Sequence, residues 1–325
     1  MKFSVSIVIP NYNGQQLLVD TIKSAHEALV SSDISDFEII LSDDASTDDS
    51  VSLVERVFPE IIIVRSAVNT GFSGNMNRGI KQASKELICF LNSDVQLTSA
   101  YFVPQLSLFE SPQTFGVMGA IFDQETKDPQ DGAKNARIGF LRIESNKNTF
   151  SSSEILPTLF LSGANALVRR EYLLELGGFC EFFNPYYSED VDLGLQAWRS
   201  GWKLYFQPLS ICYHAQSSTI KKLPNERVRM IAKRNKHFLH FLHLPPLINW
   251  IYMMRVFANS LGQLILGKTL HLTAVFSVFK ELKNLQKERK RRVEKAKGKT
   301  MLSVLQVKHV IDGMTHITSK EVVPS

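Results

Sequence analysis

At 325 residues the chain can form one large domain with an appendage or two domains, and its 44% apolar and 21% charged shares are those of an ordinary globular protein. Three separated cysteines, Cys89, Cys180 and Cys212, argue against a disulfide framework or a zinc knuckle and fit a reducing compartment. Ten Lys or Arg and three Glu lie between Lys280 and Lys299, a local +7 against +5 for the whole chain, so the body is nearly neutral and the cationic character sits in one segment.

The opening MKFSVSIVIPNYNG has one Lys and an apolar run too short for a signal peptide, and it reads as the first strand of a cytoplasmic protein. Residues 5–9, 38–42, 61–65 and 87–91 are short runs rich in Val and Ile. Between them, Leu17, Thr21, Ser24 and Ala28 share one predicted helical face, as do Val51, Val54 and Phe58. Short buried strands alternating with helices predict an α/β fold with a mostly parallel sheet covered on both faces. Ligands of such sheets gather at strand C-terminal ends. There the chain places Asn11-Tyr12-Asn13, Asp43-Asp44 and Asn92-Ser93-Asp94. One such cluster reads as a turn; three in equivalent places point to a site. Asp43-Asp44 can hold a metal, accept from a base or ribose, or cap the next helix. The glycines at 71, 74 and 79 match neither a dinucleotide fingerprint nor a Walker loop, yet glycines before a helix can bring backbone N–H groups close to a ligand.

From 98 to 157 the alternation is lost, and this stretch, with its polar segment Asp123–Ser153, reads as a substrate-facing insertion with flexible loops. Order returns from Phe160, with a helix predicted over 191–200 and ended by Gly201. Glu189 and Asp190 stand at its N-terminus, where the helix dipole favours an ionised carboxylate that can cap the helix or act as a general base. His214 follows a further strand and alone reads as structural or as a ligand. Beyond Pro224 the chain becomes apolar, then basic. Its longest charge-free stretch, His237–Met254, contains Pro245-Pro246, three His and Asn249, so no spanning helix is expected. Within 247–266, Leu247, Ile251, Met254, Ala258, Leu261 and Ile265 line one face, while Arg255, Asn259 and Gln263 line another. This segment either packs on the body or lies on an anionic membrane surface, and the adjacent basic run favours the membrane. The last dozen residues read as a frayed end. No nucleic-acid motif accompanies the basic run.

SIVIPNYNG, DDASTDDS, NTGFSGNMNRGI, LNSDVQL, SGANALVRREYLLELGGF and YSEDVDLGLQAWRSGW, in this order and spacing, resemble the family 2 glycosyltransferases, most of all their rhamnosyltransferase-like branch, over about residues 4–215. The resemblance implies a GT-A fold, an inverting transfer from a nucleotide-diphosphate sugar donor, and Mg2+ or Mn2+ as cofactor. With the change of character beyond Pro224, a catalytic domain is expected over 1–223, a helical extension over 224–300 and a tail over 301–325. The expected partners are the sugar donor and a glycan or polyprenyl-linked acceptor in surface polysaccharide synthesis, met in the cytoplasm or at the inner face of the cell membrane, with acceptor contacts in 123–153 and 181–189.

By the same resemblance Asp44 accepts from the donor's pyrimidine N3–H, with Pro10, Asn11 and Asp43 beside it. Asn77 and Gly79 belong to a loop near the nucleotide, and Asn92 and Ser93 lead into Asp94, a metal ligand like His214. Asp190 is the general base and Glu189 positions the acceptor. Two departures stand out: Asn92 replaces a common Asp, and Met76 a common Arg, whose work at the diphosphate would pass to the metal or to Arg78. They support a rival reading as an inactive sugar-nucleotide-binding module. A second rival, a sugar nucleotidyltransferase, needs a Gly-rich basic loop where this chain has PNYNG.

Overall fold

The computed structural model describes residues 3–151, 153–215, 225–267 and 269–314. The first half is β1 (Val5–Asn11), α1 (Gln15–Ser31), β2 (Phe37–Asp43), α2 (Ser50–Val57), β3 (Ile62–Arg65), α3 (Gly71–Gln82), β4 (Leu87–Phe90) and β5 (Val95–Leu97). There follow α4 (Val103–Leu106), β6 (Thr114–Asp123), β7 (Pro129–Asp131), β8 (Ala133–Gly139), β9 (Arg142–Thr149), β10 (Leu156–Pro157), β11 (Ala166–Arg169) and α5 (Arg170–Leu176). The remainder is α6 (Glu189–Arg199), β12 (Lys203–His214), α7 (Asn225–His243), α8 (Pro246–Ile265), α9 (Leu270–Lys295) and α10 (Val304–Gly313).

The main sheet runs β10-β12-β6-β11-β4-β1-β2-β3, with β5 added on β12 and β7 on β6. The pairs β4-β1, β1-β2, β2-β3 and β12-β6 are parallel, while β11 runs against both β4 and β6. This is the mixed, mostly parallel sheet of a GT-A fold. Its parallel strands are apolar on both faces because helices cover both. On one face Leu18, Ile22, Tyr101, Phe102 and Phe109 are buried. On the other Met76, Ile80, Leu193 and Trp198 form one core with Phe238, Leu285, Val304 and Ile311. The helices after residue 224 therefore share the core of the body.

Several sequence expectations change. The buried stripe of α1 is Leu18, Thr21, Ile22, Ala25, Ala28 and Leu29, with Leu17 and Ser24 on its flank. The polar segment Asp123–Ser153 is not a set of loops. It holds β7 and the hairpin β8-β9, whose few apolar residues, Ala133, Ile138 and Ile143, join the core beside α7. Residues 304–313 form a helix with a Ser303–Gln306 capping box. The boundary expected at 223/224 and the end from residue 315 lie outside the described residues.

The basic run is only partly a solvated surface. Arg289 donates to the carbonyls of Phe241 and Leu244, and Arg292 reaches the fully buried Asp192. Arg289 and Arg292 are thus part of the packed structure, while the lysines of the run are exposed.

Candidate active site

The parallel register sets Asn11 opposite Asp43, so β1 and β2 end side by side. Asp43 is buried and accepts from Asn11 Nδ2 at 2.8 Å, Ser46 Oγ at 2.5 Å and Ser46 N at 3.0 Å. The Asn11 amide also reaches Ser50 Oγ at 2.9 Å. These two residues hold the strand ends together. Gly14 is required beside them, because a Cβ there would stand 2.5 Å from Asn11 Oδ1. Pro10, half-buried, adjoins this knot.

Asp44 latches β2 to the start of α3. Its carboxylate accepts from Thr70 Oγ1 at 2.7 Å, Thr70 N at 2.9 Å and Gly71 N at 2.9 Å, with Arg78 Nη2 at 3.4 Å. Any ligand at Asp44 shares it with these donors. Arg78 also donates to Thr70 Oγ1, so it sits at this latch, and Met76 lies fully buried in the core. The Met76 departure thus leaves no gap in a phosphate pocket. Asn77 and Gly79 are not brought to the strand-end cluster. Asn77 exchanges two 2.8 Å bonds with the backbone of Phe179, and Gly79 lets α3 approach Val8, where a Cβ would stand 2.4 Å from a methyl group.

Asn92, Ser93 and Asp94 follow β4, all half-buried. Asn92 N donates to Ala164 O and Ser93 O accepts from Thr21 Oγ1, which fixes the turn. Antiparallel pairing of β5 with β12 sets His214 opposite Val95 and brings His214 Nε2 to 3.2 Å from Asp94 Oδ2.

Gln130, which the sequence reading missed, decides the protonation of His214. Its Nε2 donates to Asp123 Oδ2 at 2.7 Å, so its Oε1 faces His214 Nδ1 at 2.9 Å. An amide oxygen only accepts, so Nδ1 carries a proton, and Nε2 is the nitrogen turned toward Asp94 and left to a cation. One carboxylate and one imidazole nitrogen at the same place suit Mn2+ or Mg2+, and the imidazole favours Mn2+. No group of three or more His, Cys, Asp or Glu gathers among the described residues. A bound ion would complete its shell from phosphate and water.

The acid pair stands at the start of α6, after Tyr187 and Ser188, which both have left-handed φ values, 77° and 75°. Pro185 O accepts from Phe72 N at 3.0 Å, and Asn184 Oδ1 from Ser73 N at 3.1 Å, so the loop before α6 is seated on the start of α3. Burial raises the Asp190 carboxyl to about 6, opposed by the Lys134 ammonium. Burial, reinforced by the Asp190 charge, raises Glu189 well above the usual carboxylate range, and its Oε2 is buried without a hydrogen-bond partner. Lys134 is itself lowered to about 8 by burial and pairs with Asp131. Gln130, Asp131 and Lys134 thus run along one segment between the His214–Asp94 pair and Asp190.

α6 is locked from below. Asp192 accepts from Arg292 at 2.7 and 2.9 Å and from His243 Nε2 at 2.7 Å. The Asn235 amide of α7 donates to the carbonyls of Phe183, Tyr186 and Tyr187.

Comparison with known proteins adds to this geometry. The sequence profile described as Glycosyl transferase family 2 matches residues 6–177. The chain is 36% identical over 99 residues to a GalNAc(5)-diNAcBac-PP-undecaprenol beta-1,3-glucosyltransferase of Campylobacter jejuni, covering 29% of this chain and 31% of that one. It is 28% identical over 221 residues to the amylovoran biosynthesis glycosyltransferase AmsB of Erwinia amylovora, covering 64% and 68%. The alignment thus spans about a third of the first relative and two thirds of the second. Among solved structures, the mannosyltransferase PcManGT from Pyrobaculum calidifontis, in complex with GDP-Man and Mn2+, covers 97% of this chain and 89% of its own, with TM-score 0.53 and 16% identity. GalNAc-T7 with UDP, GalNAc and Mn2+ covers 78% and 50%, with TM-score 0.61 and 16% identity. At such identities these likenesses speak for the fold.

Proposed function

This chain belongs to glycosyl transferase family 2, and from that premise we propose that it is an inverting glycosyltransferase, metal-dependent and of the rhamnosyltransferase-like branch, in cell-surface glycan synthesis. The donor is a nucleotide-diphosphate sugar and the acceptor a hydroxyl of a glycan or a polyprenyl-linked saccharide. With such an acceptor it works as a peripheral protein at the inner face of a cell membrane. The observation that carries this reading is the meeting of Asp94 and His214 at 3.2 Å, from distant parts of the chain.

The donor's base is proposed to lie against Pro10 and the Asp44 latch, with its diphosphate toward Asn92, Ser93 and Asp94. Asp94 and His214 would hold the cation, which when bound supplies Lewis-acid stabilisation of charge on the leaving diphosphate. The residues of the chain do the rest. Asp190, with its carboxyl raised to about 6, is ionised at neutral pH and basic enough to take the acceptor hydroxyl's proton. Glu189, held neutral, can donate an O–H to orient the acceptor. Attack from the Asp190 side of the sugar, opposite the diphosphate, inverts the anomeric centre without a covalent enzyme intermediate.

Asp190→Asn tests the assignment. Donor binding, followed by calorimetry with Mn2+, is retained, and transfer to acceptor falls at least 100-fold, within the usual contribution of a general base. Unchanged transfer removes Asp190 from the base role.

A further inference from the structure

The outer layer of α8 and α9 carries a surface that transfer does not need. The residues α8 buries against the body include the polar Asn249, Tyr252 and Ser260. Its outward stripe is apolar: Leu247, Trp250, Met254, Phe257, Leu261 and Ile265, with exposures from 36% to 86%. These positions recur at three, four or seven residues, so they lie along one side of the helix. A helix turned this way leaves its apolar stripe to be covered by something else.

α9 runs beside it and continues the surface in two chemistries. Phe276 and Phe279 are 51% and 54% exposed, and the same helical face then presents Lys280, Lys283, Lys287 and Lys290, all exposed. Between the helices lies a groove of about 550 Å³, with apolar walls from Trp250, Met253, Phe279 and Leu282 and with Lys290 and Arg289 also lining it. No helix among the described residues is long and apolar enough to cross a membrane.

We propose that the α8–α9 face is the membrane-docking surface of the protein: its apolar stripe enters the interface of a bilayer, and the lysine row of α9 meets anionic lipid headgroups. The observation that selects a bilayer over another protein is this pairing of a continuous apolar stripe with a single-sign lysine row, the pattern of an interfacial amphipathic helix. The inference deepens the peripheral location proposed above and stands apart from the chemistry of transfer.

The test is flotation of the full chain with vesicles of phosphatidylcholine alone and of phosphatidylcholine mixed with phosphatidylglycerol, at low and high salt. Wild type is expected to float with the anionic vesicles and to be released by salt. Trp250 emission should shift to the blue on binding. Trp250→Phe removes the shift and keeps the flotation, since Trp198 is buried in the core and Trp202 is stacked on Tyr172 and Phe115. The triple change Lys283→Gln, Lys287→Gln, Lys290→Gln weakens binding to anionic vesicles by roughly 100-fold. The triple change Trp250→Gln, Met254→Gln, Leu261→Gln abolishes flotation and, because these side chains are exposed, leaves thermal unfolding as in wild type. Transfer to a water-soluble acceptor persists in both sets, which separates this face from the catalytic reading. The proposal is overturned if wild type ignores both vesicles, if either set floats like wild type, or if wild type is a dimer that the apolar set turns into a monomer, since a second copy then covers the face.

Discussion

With Gln130 replaced by leucine, His214 loses the acceptor that holds its proton on Nδ1, and nothing obliges its Nε2 to face Asp94. Such outer contacts are worth roughly 10- to 100-fold in metal affinity. Gln130→Leu should therefore raise the Mn2+ concentration for half-maximal activity by that factor. Equal Mn2+ titrations for wild type and Gln130→Leu would show that the tautomer does not matter. Lys134 bears on the other end of the site. It lowers a carboxyl that burial alone would raise further, so Lys134→Gln should move the acid limb of kcat/KM upward from about 6. Below that limb the rate should fall about tenfold per pH unit, because a protonated Asp190 cannot accept. A limb that stays in place would remove Lys134 from the electrostatics of the base. At this scale the acids were legible and their keepers were not. Asp94 and Asp190 lie at the ends of elements with strong local patterns, whereas Gln130 acquires its role only when β7 pairs with β6.

Among the elements, α6 has the most to explain, since it carries Asp190 at one end and is anchored two residues later by Asp192. Neighbouring Arg292 and the His243 hydrogen bond overcome the cost of burial and hold the Asp192 carboxyl well below the usual range, so it stays ionised where no water reaches it. Removing one partner of such a buried pair costs about 3–5 kcal/mol, mostly because the other charge is stranded. Arg292→Met should therefore lower the midpoint of urea unfolding, and Asp192→Asn with Arg292→Met should recover part of the loss. The kinetic signature should be a lower kcat with the donor KM nearly unchanged, because the Asp44 latch and the Asp94–His214 pair make no contact with Arg292. A raised donor KM with normal kcat would contradict this. The strands were readable because burial on both faces leaves continuous Val and Ile. The hairpin β8-β9 was not, since its sparse apolar residues need α7 to complete their surface. The basic run misled for a related reason: a count of charge cannot tell Arg292, paired inside, from Lys290, facing out.

Across the whole molecule, the C-terminal helices join two surfaces that need not have been joined, a floor for the segment that carries Asp190 and the outer face proposed to meet a membrane. Three histidines of α7 make that floor sensitive to acid. Burial is the main cause that lowers His237, His240 and His243 to about 4. His240 shows how neutrality is enforced: its Nε2 accepts from Ile143 N at 3.1 Å, which a protonated ring cannot do, and its Nδ1 donates to Lys236 O. In the unfolded chain each ring titrates near 6.5. A depressed folded value means that stability is fully present above about 6.5 and is lost as pH falls toward about 4, by up to a few kcal/mol per ring. Circular dichroism melts should show a midpoint that falls below about pH 6.5, less steeply than three rings alone would give. Burial raises the Glu189 and Asp190 carboxyls, so they take up protons in the folded state over the same range and offset part of the loss. His240→Gln has an amide that no longer titrates and can replace at least one of the two hydrogen bonds, so it should flatten that fall even if it costs stability at neutral pH. The activity limb set by Asp190 lies in the same range, and the two are told apart by reversibility at low temperature: protonation of the base reduces rate without loss of ellipticity, while release of α7 removes both. A fall as steep in His240→Gln as in wild type would mean that the His240 ring is not held neutral, and the hydrogen bond from Ile143 could not then be what ties the hairpin to α7.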